Sequence, residues 1–284
     1  MSEPPTAYKN PTLKMTQQTS ANEYKQEIIA FYEARTNYDN DFTYRRAIPL
    51  VELAQLQPGQ HVLDVATGTG IVAIAAAEKV GVEGKVIGVD FTPGMLEQAR
   101  RKIAAAGLQN IELIEADAES ITFEDETFDA IFCATAIVLL SDIPAALRNW
   151  HRFLKKGGLV AFSCWSATSF FTPVITKVCA KYGFSLPNLH EPLGTTEKCY
   201  TLLQEVGFQD IEIKTEQFGS YLSLDDAKNF WKGKWLHANG HPLLHLSDAQ
   251  IEQLKAEFRA EVETLVTEQG VWSENTTFFV MGKK

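Results

Sequence analysis

The sequence has little cysteine and no long apolar run. No two of its four cysteines form a Cys-x-x-Cys pair, and their wide spacing matches neither a disulfide framework nor a zinc site. We therefore expect reduced packing residues in a cytoplasmic protein. They are Cys133, Cys164, Cys179 and Cys199. The longest apolar run, Ala130–Leu140, is far shorter than the roughly 20 residues of a membrane helix, so no membrane span is expected.

An excess of positive charge is also missing. The 284 residues include 26 lysines and arginines against 36 aspartates and glutamates, which gives a net charge of −10. Such a chain has no basic field to attract a phosphate backbone, so nucleic acid is not an expected partner. Residues 1–20 are rich in Pro, Thr, Gln and Lys without an apolar block, which predicts a flexible tail and no signal peptide.

What the sequence does contain is a regular alternation of apolar and amphipathic segments. Five short apolar segments are each followed by a turn or a helical pattern, which is typical of an α/β fold with a parallel sheet covered on both faces. The predicted strands are His61–Val65, Lys85–Asp90, Asn110–Ala116, Phe128–Ala134 and Leu159–Trp165. The predicted helices between them are Gly70–Val80, a helix capped by Thr92 and opened by Pro93, and one that starts near Ser141 or Asp142.

Other segments flank this alternation. Aromatic residues from Asn22 to Tyr44 predict an N-terminal helical cap, followed by a helix Arg45–Ala54. After Trp165 a helix Thr195–Val206 and strands Gln209–Glu216 and Thr276–Gly282 stand between two insertions. We expect a tail (1–20), a cap (21–57), a core (58–165), an insertion near the substrate site (166–194), more core (195–217), a helical substrate lid (218–272) and a last core strand (273–284).

Three aspartates close the first three predicted strands. Ligands of open α/β sheets bind at the carboxyl ends of the strands, which is where Asp64, Asp90 and Asp117 fall. An ionised carboxylate after the second strand can accept from both hydroxyls of a ribose. Gly68 and Gly70 let a ligand approach the backbone. Asp64 would repel a pyrophosphate but suits an ammonium group, and Asp117 can accept from an adenine amino group.

Taken together, these motifs resemble the class I methyltransferases that use S-adenosylmethionine. The stretch Asp64–Gly70, the pair Asp90-Phe91, the pair Asp117-Ala118 and the turn Leu154–Gly158 match that family in order and spacing, and Thr277–Val280 looks like its antiparallel seventh strand. The sequences of Val62–Gly70 and Gly84–Leu96 are most similar to those of quinone and other small-molecule C-, N- or O-methyltransferases. The resemblance implies a Rossmann-like, seven-stranded, mostly parallel sheet with an antiparallel last strand and helical cap and lid insertions.

The resemblance also implies S-adenosylmethionine as cofactor and a set of residues that bind it. Gly68 and Gly70 would hold the methionine part, Asp90 the ribose, and Phe91 and Ala118 the two faces of the adenine. The implied cofactor-binding residues are Asp64, Ala66, Gly68, Gly70, Asp90, Phe91, Met95, Asp117, Ala118 and Ala134.

The sequence says less about the chemical class of the methyl acceptor. Many relatives have a His-His pair where this chain has Val138-Leu139, so the segment Ala134–Leu140 is apolar except for Thr135. It predicts either a pocket for a hydrophobic or aromatic acceptor or simply a buried turn. The candidate substrate-binding residues are Tyr32, Tyr38, Thr135, Val138 and Trp165.

A catalytic base is optional, because methyl transfer from a sulfonium is an in-line displacement with a good leaving group. An amine or an activated ring carbon needs no base, whereas a neutral hydroxyl would benefit from one. His237, His241 and Tyr32 are the candidate bases. His237, His241 and His245 are spaced like metal ligands on a helix, but Gly240 and Pro242 would interrupt that helix, so no metal is expected.

Two alternatives remain. Gly68-x-Gly70-x-x-Ala73 followed by Asp90 also fits an NAD(P)-binding oxidoreductase, although the chain lacks a Tyr-x-x-x-Lys pair. The departure at Val138-Leu139 leaves room for a non-catalytic protein that binds S-adenosylmethionine. The expected function is methyl transfer from S-adenosylmethionine to a small hydrophobic or aromatic molecule.

Overall fold

The computed structural model describes residues 24–183, 185–232, 243 and 246–284. Its strands are β1 His61–Val65, β2 Lys85–Asp90, β3 Ile111–Glu115, β4 Phe128–Ala134, β5 Leu154–Trp165, β6 Gln209–Gln217, β7 Ser220–Leu222, β8 Val271–Ser273 and β9 Thr276–Lys283. Its helices are α1 (residues 24–33), α2 Asp41–Leu53, α3 Ile71–Val80, α4 Pro93–Ala105, α5 Ile143–Phe153, α6 Thr172–Lys181, α7 Thr196–Val206, α8 Leu224–Lys228 and α9 Asp248–Glu263.

A seven-stranded sheet in the order β3-β2-β1-β4-β5-β9-β6 forms the centre. β1 pairs in parallel with β2 and with β4, and parallel pairing continues outward to β3 and to β5. β9 runs antiparallel to both β5 and β6. The predicted sheet with an antiparallel last strand is therefore confirmed. The strand order reverses between β1 and β4, which places a ligand-binding crevice at their carboxyl ends.

Apolar side chains fill the space on both faces of the sheet. On one face α2 and α3 pack through residues such as Leu50, Ala73 and Ala76. On the other face α5 and α7 pack through residues such as Leu147, Trp150 and Leu203. Burial on both faces explains why the parallel strands are nearly unbroken apolar runs.

Some predicted boundaries were wrong. α2 begins at Asp41 rather than at Arg45, because Asn40 and Thr43 form a capping box that starts the helix earlier. β5 begins at Leu154 rather than at Leu159, because an irregularity in its pairing with β4 lets the strand run through the predicted glycine turn. Thr92 does stand before α4, but its side chain makes no capping hydrogen bond.

The two insertions share a third hydrophobic cluster. α6 packs against α9, and Phe171, Phe258 and Trp231 are buried between these elements and α8. Trp231 therefore packs in the core of the two insertions. The segment 218–272 is not wholly helical as predicted, because β7 and β8 form a small antiparallel sheet within it.

Candidate active site

The turn between β1 and α3 has an unusual backbone. Ala66, Gly68 and Gly70 all have positive φ, at 55°, 55° and 79°. A Cβ on Gly68 would lie 3.9 Å from the ring of Tyr38, whereas one on Gly70 would meet Ala99 of α4 at 3.2 Å. Glycine at position 70 is therefore favoured by the close packing of α4 as well as by its backbone conformation, and Gly68 is the glycine that faces the tyrosine.

Asp64 lies inside this turn. Its Oδ2 accepts hydrogen bonds from the Thr67 hydroxyl at 2.6 Å and from the Ala73 N–H at 3.1 Å. The side chain is only 1% exposed, and this burial raises the pKa of Asp64 to about 7. All of these bonds are internal to the turn, so the expected contact with an ammonium group stays a prediction.

Asp90 connects the end of β2 to the same turn. Its Oδ2 accepts from the Gly68 N–H at 2.8 Å, and its Oδ1 accepts from the Thr92 N–H at 2.8 Å. Burial raises the pKa of Asp90, while these hydrogen bonds act in the opposite direction. Asp90 therefore ties the glycine turn to the start of α4.

Two adjoining cavities of about 50 Å³ each lie over the carboxyl ends of the strands. They share Ile28, Ala66, Asp90, Phe91, Ala136 and Leu139. The predicted cofactor-binding residues that line one or both are Ala66, Gly68, Asp90, Phe91, Met95, Asp117, Ala118 and Ala134. Asp64 and Gly70 are in neither lining; both support the turn from behind.

Helix α1 covers the cavities. Lys25 Nζ lies 2.6 Å from Asp117 Oδ2 and 2.9 Å from Glu119 Oε2. The other carboxylate oxygen of Asp117 accepts the Glu119 N–H at 3.0 Å. Ile28 is buried one turn further along the helix. Sequence analysis missed Lys25, because nothing local distinguishes it from the other lysines near the N-terminus.

Tyr32 and Tyr38 enter the second cavity together with Thr135. Their ring centroids are 6.0 Å apart, and the Tyr38 hydroxyl is hydrogen-bonded to the side chain of Thr135. Burial raises the pKa of both tyrosines. Tyr32, a candidate base, is therefore protonated at neutral pH and suited to donate a hydrogen bond.

The remaining candidates lie elsewhere. Val138 is packed in the core between the sheet and helices α5 and α7, which favours the buried-turn interpretation at that position. Its neighbour Leu139 lines the cavities instead. Trp165 packs its ring on Phe170 and His190, with centroids 5.5 and 5.4 Å away. His237, His241 and His245 lie outside the described residues. Within the described part of the chain, no cluster of three His, Cys, Asp or Glu side chains can hold a metal ion.

Comparison with known proteins decides the family. A model of the methyltransferase domain matches residues 62–158. Aklanonic acid methyltransferase of Streptomyces sp. (strain C5) is 33% identical over 171 residues, which cover 56% of this chain and 78% of that protein. Demethylmenaquinone methyltransferase of Geobacillus kaustophilus is 33% identical over 181 residues, which cover 58% of this chain and 77% of that protein.

The chain belongs to the S-adenosylmethionine-dependent methyltransferases. A solved phosphoethanolamine N-methyltransferase 2 of Haemonchus contortus, in complex with S-adenosylhomocysteine, shares the fold at a TM-score of 0.54 and 19% identity, over 96% of this chain and 59% of that one. The methyltransferase takes S-adenosylmethionine as its cofactor, and neither the oxidoreductase nor the non-catalytic alternative finds support among these relatives. Among the residues described, no helix has the length and apolarity to cross a membrane.

Proposed function

We propose that the two cavities together hold S-adenosylmethionine, with Asp90 bound to the ribose hydroxyls. The observation that carries the proposal is the position of Asp90, which faces both cavities while its two oxygens hold the glycine turn and the start of α4. Phe91 and Ala118 would enclose the adenine, and Asp117 would accept from its amino group. The residues fit a zwitterionic adenosine ligand, because acceptors face the cavity where a diol and an amine need them.

Helix α1 must move for the cofactor to enter. Small-molecule sites commonly enclose roughly 300–1,000 Å³, and each described cavity has about 50 Å³. We infer that the structure shows α1 closed over the site, with Lys25 on Asp117 and Glu119. The division into cap, core, insertion and lid remains part of this proposal.

We further propose a small hydrophobic or aromatic acceptor. Two relatives are named for aklanonic acid and demethylmenaquinone. When bound, the cofactor supplies a methyl group on a sulfonium, which is open to in-line attack. The chain's own part is to hold the acceptor in line and to exclude water, which apolar Leu139 and the two buried tyrosines favour. Four free, buried cysteines support a reducing compartment such as the cytoplasm.

The test is direct. The purified protein should bind S-adenosylhomocysteine and not NADH in calorimetry, and it should transfer a labelled methyl group from S-adenosylmethionine to one or more members of a panel of quinols, phenols, indoles and amines. Tight binding of NADH alone would refute the cofactor assignment. Binding of S-adenosylhomocysteine with no transfer to any hydrophobic acceptor would refute the acceptor class.

A further inference from the structure

Arg46 on α2 is a buried cation that pairs with no carboxylate of the described residues. The residue is 2% exposed, and no ion pair of the described chain includes it. Its Nη1 donates to the Phe42 carbonyl at 2.6 Å, while its buried Nε has no hydrogen-bond partner. Burial lowers the pKa of Arg46 to about 10. An unpaired buried charge is costly, so its persistence points to a partner that the described residues do not supply.

The free edge of the guanidinium has a defined shape. The Phe42 carbonyl occupies Nη1, and within the described residues neither Nε nor Nη2 has an acceptor. These two donors lie side by side on one edge of the planar group, the arrangement that binds both oxygens of a carboxylate.

Two aromatic rings lie against the same guanidinium. Its central carbon lies 3.8 Å from the ring centroid of Phe42 and 4.5 Å from that of Phe218. Rings fix the plane of an arginine but accept nothing at its edge, so the edge is the part left for a ligand.

The unpaired edge belongs to a wider group of unpaired polar atoms. The Phe42 ring neighbours Phe170, which packs on Trp165 and His190. Trp165 Nε1 and His190 Nδ1 are also buried, and neither has a hydrogen-bond partner among the described residues. An indole N–H and a neutral imidazole can each donate a hydrogen bond, so this chain of rings offers donors to an anionic ligand.

This group adjoins the proposed active site. The Arg46 carbonyl accepts from the Ser163 hydroxyl at 3.0 Å, and the same hydroxyl accepts from the Thr135 N–H at 3.0 Å. Thr135 lines the second cavity. The Arg46 side chain turns back toward the N-terminus of α2, where Asp39 accepts from the Thr69 hydroxyl of the glycine turn. The backbone of Arg46 is therefore separated from a cavity-lining residue only by the side chain of Ser163.

We propose that Arg46 binds a carboxylate of the methyl acceptor through Nε and Nη2, with Trp165 and His190 lining the same subsite. The inference rests on the proposed function, because the ligand is the molecule to be methylated. It adds that this acceptor is an acid, with a ring against the aromatic side chains and a carboxylate on the arginine.

Calorimetry on the full-length protein saturated with S-adenosylhomocysteine tests this assignment. The probes are 1-hydroxy-2-naphthoate, its neutral carboxamide and 1-naphthol. We expect the wild type to bind the carboxylate about tenfold or more tightly than the carboxamide, in line with charge-assisted hydrogen bonds. R46M should lose this preference. R46K should lose most of it, because an ammonium lacks the two parallel donors. R45M should keep this preference, because Arg45 is the neighbouring arginine that pairs with Asp41 at the surface.

The outcomes separate the two proposals. If the wild type fails to bind S-adenosylhomocysteine, the proposed function fails. If it binds S-adenosylhomocysteine but shows no preference for the carboxylate, or binds no probe, only the present inference fails. A loss of affinity in R46M that is larger for 1-naphthol than for the naphthoate would overturn the carboxylate in favour of a ring oxygen.

Urea unfolding of R46M distinguishes a binding role from a structural one. Because the substitution removes an unpaired buried charge, we expect a midpoint equal to or above that of the wild type. A lower midpoint together with an unchanged preference for the carboxylate would show that Arg46 serves the fold alone.

Discussion

Both carboxylate oxygens of Asp90 accept from backbone N–H groups, and Asp90 lines both cavities. Replacing Asp90 with alanine removes the acceptors proposed for the ribose and also releases Gly68. We expect D90A to bind S-adenosylhomocysteine about 100-fold or more weakly, since two charge-assisted hydrogen bonds contribute about 1.5–3 kcal/mol each. Calorimetry measures the affinity, and far-ultraviolet circular dichroism checks that the fold is retained.

Glu115 provides the matched control. It pairs with Asp90 across β2 and β3 but is exposed at the strand end. E115A should bind S-adenosylhomocysteine like the wild type. An unchanged affinity in D90A, or an equal loss in E115A, would remove Asp90 from the site.

Asp64 leads to a prediction about protons. Burial raises its pKa to about 7, so at pH 6.5 the carboxyl is mostly protonated in the free protein. An ammonium group brought near it would lower that pKa, and binding would then release a proton. We expect S-adenosylmethionine binding at pH 6.5 to release roughly half a proton or more for each cofactor bound. Calorimetry in buffers of different ionisation enthalpy measures this release as the slope of the binding enthalpy.

The D64N variant isolates this effect. Its amide oxygen can still accept from Thr67 and Ala73, but it cannot titrate. We expect no proton release from D64N. Equal release by both proteins, or none by the wild type, would show that the cofactor's ammonium does not act on Asp64.

Residue type and position at the end of a strand were enough to predict much of the cofactor side of the candidate site. Parallel strands bring their carboxyl ends to one edge of the sheet, so acids far apart in sequence meet there. The partners of those acids were not predictable. Lys25 reaches Asp117 from 92 residues away, and Arg46 becomes notable only because no carboxylate in the described part of the chain meets it.

At the scale of elements, the proposed function makes α1 the part that controls access. Lys25 is its charged contact with the adenine side, and both members of the Lys25–Asp117 pair are largely shielded from water. We expect K25M to release S-adenosylhomocysteine about fivefold faster, because a partly buried ion pair contributes on the order of 1 kcal/mol to closure. Stopped-flow displacement measures the dissociation rate.

A lysine in an ion pair far from the helix serves as the control for this rate. Lys85 pairs with Glu112 at 2.7 Å across β2 and β3, and both side chains are about half exposed. K85M should leave the rate unchanged. Slower or unchanged release from K25M would contradict the role of α1 as a closing element.

Element boundaries show where sequence patterns stop being informative. The regular alternation predicted each parallel strand, because burial on both faces leaves a strong apolar signal. The start of α2 depended on a capping box at Asn40 inside an aromatic stretch, and the start of β5 on an irregular pairing. Both are local hydrogen-bond arrangements that the apolar pattern does not record.

At the scale of the whole molecule, the two insertions form one lobe with its own hydrophobic cluster, separate from the two clusters that flank the sheet. Phe258 of α9 is fully buried there and packs edge-on against Phe171 and Trp231. Sequence analysis predicted both insertions but not their union, since the contacts between α6 and α9 join segments about 80 residues apart.

The lobe should loosen without loss of the cofactor site. Removing a buried phenylalanine ring costs about 3–5 kcal/mol, and in F258A this loss falls on the lobe. We expect faster proteolysis within residues 218–272 and a raised KM for the methyl acceptor, with S-adenosylhomocysteine affinity unchanged because no residue of this cluster lines the cavities. Phe153 belongs to the cluster between the sheet and helices α5 and α7, so F153A should destabilise the core instead. Weaker S-adenosylhomocysteine binding by F258A, or equal cleavage of 218–272 in both variants, would show that lobe and core form one cooperative unit.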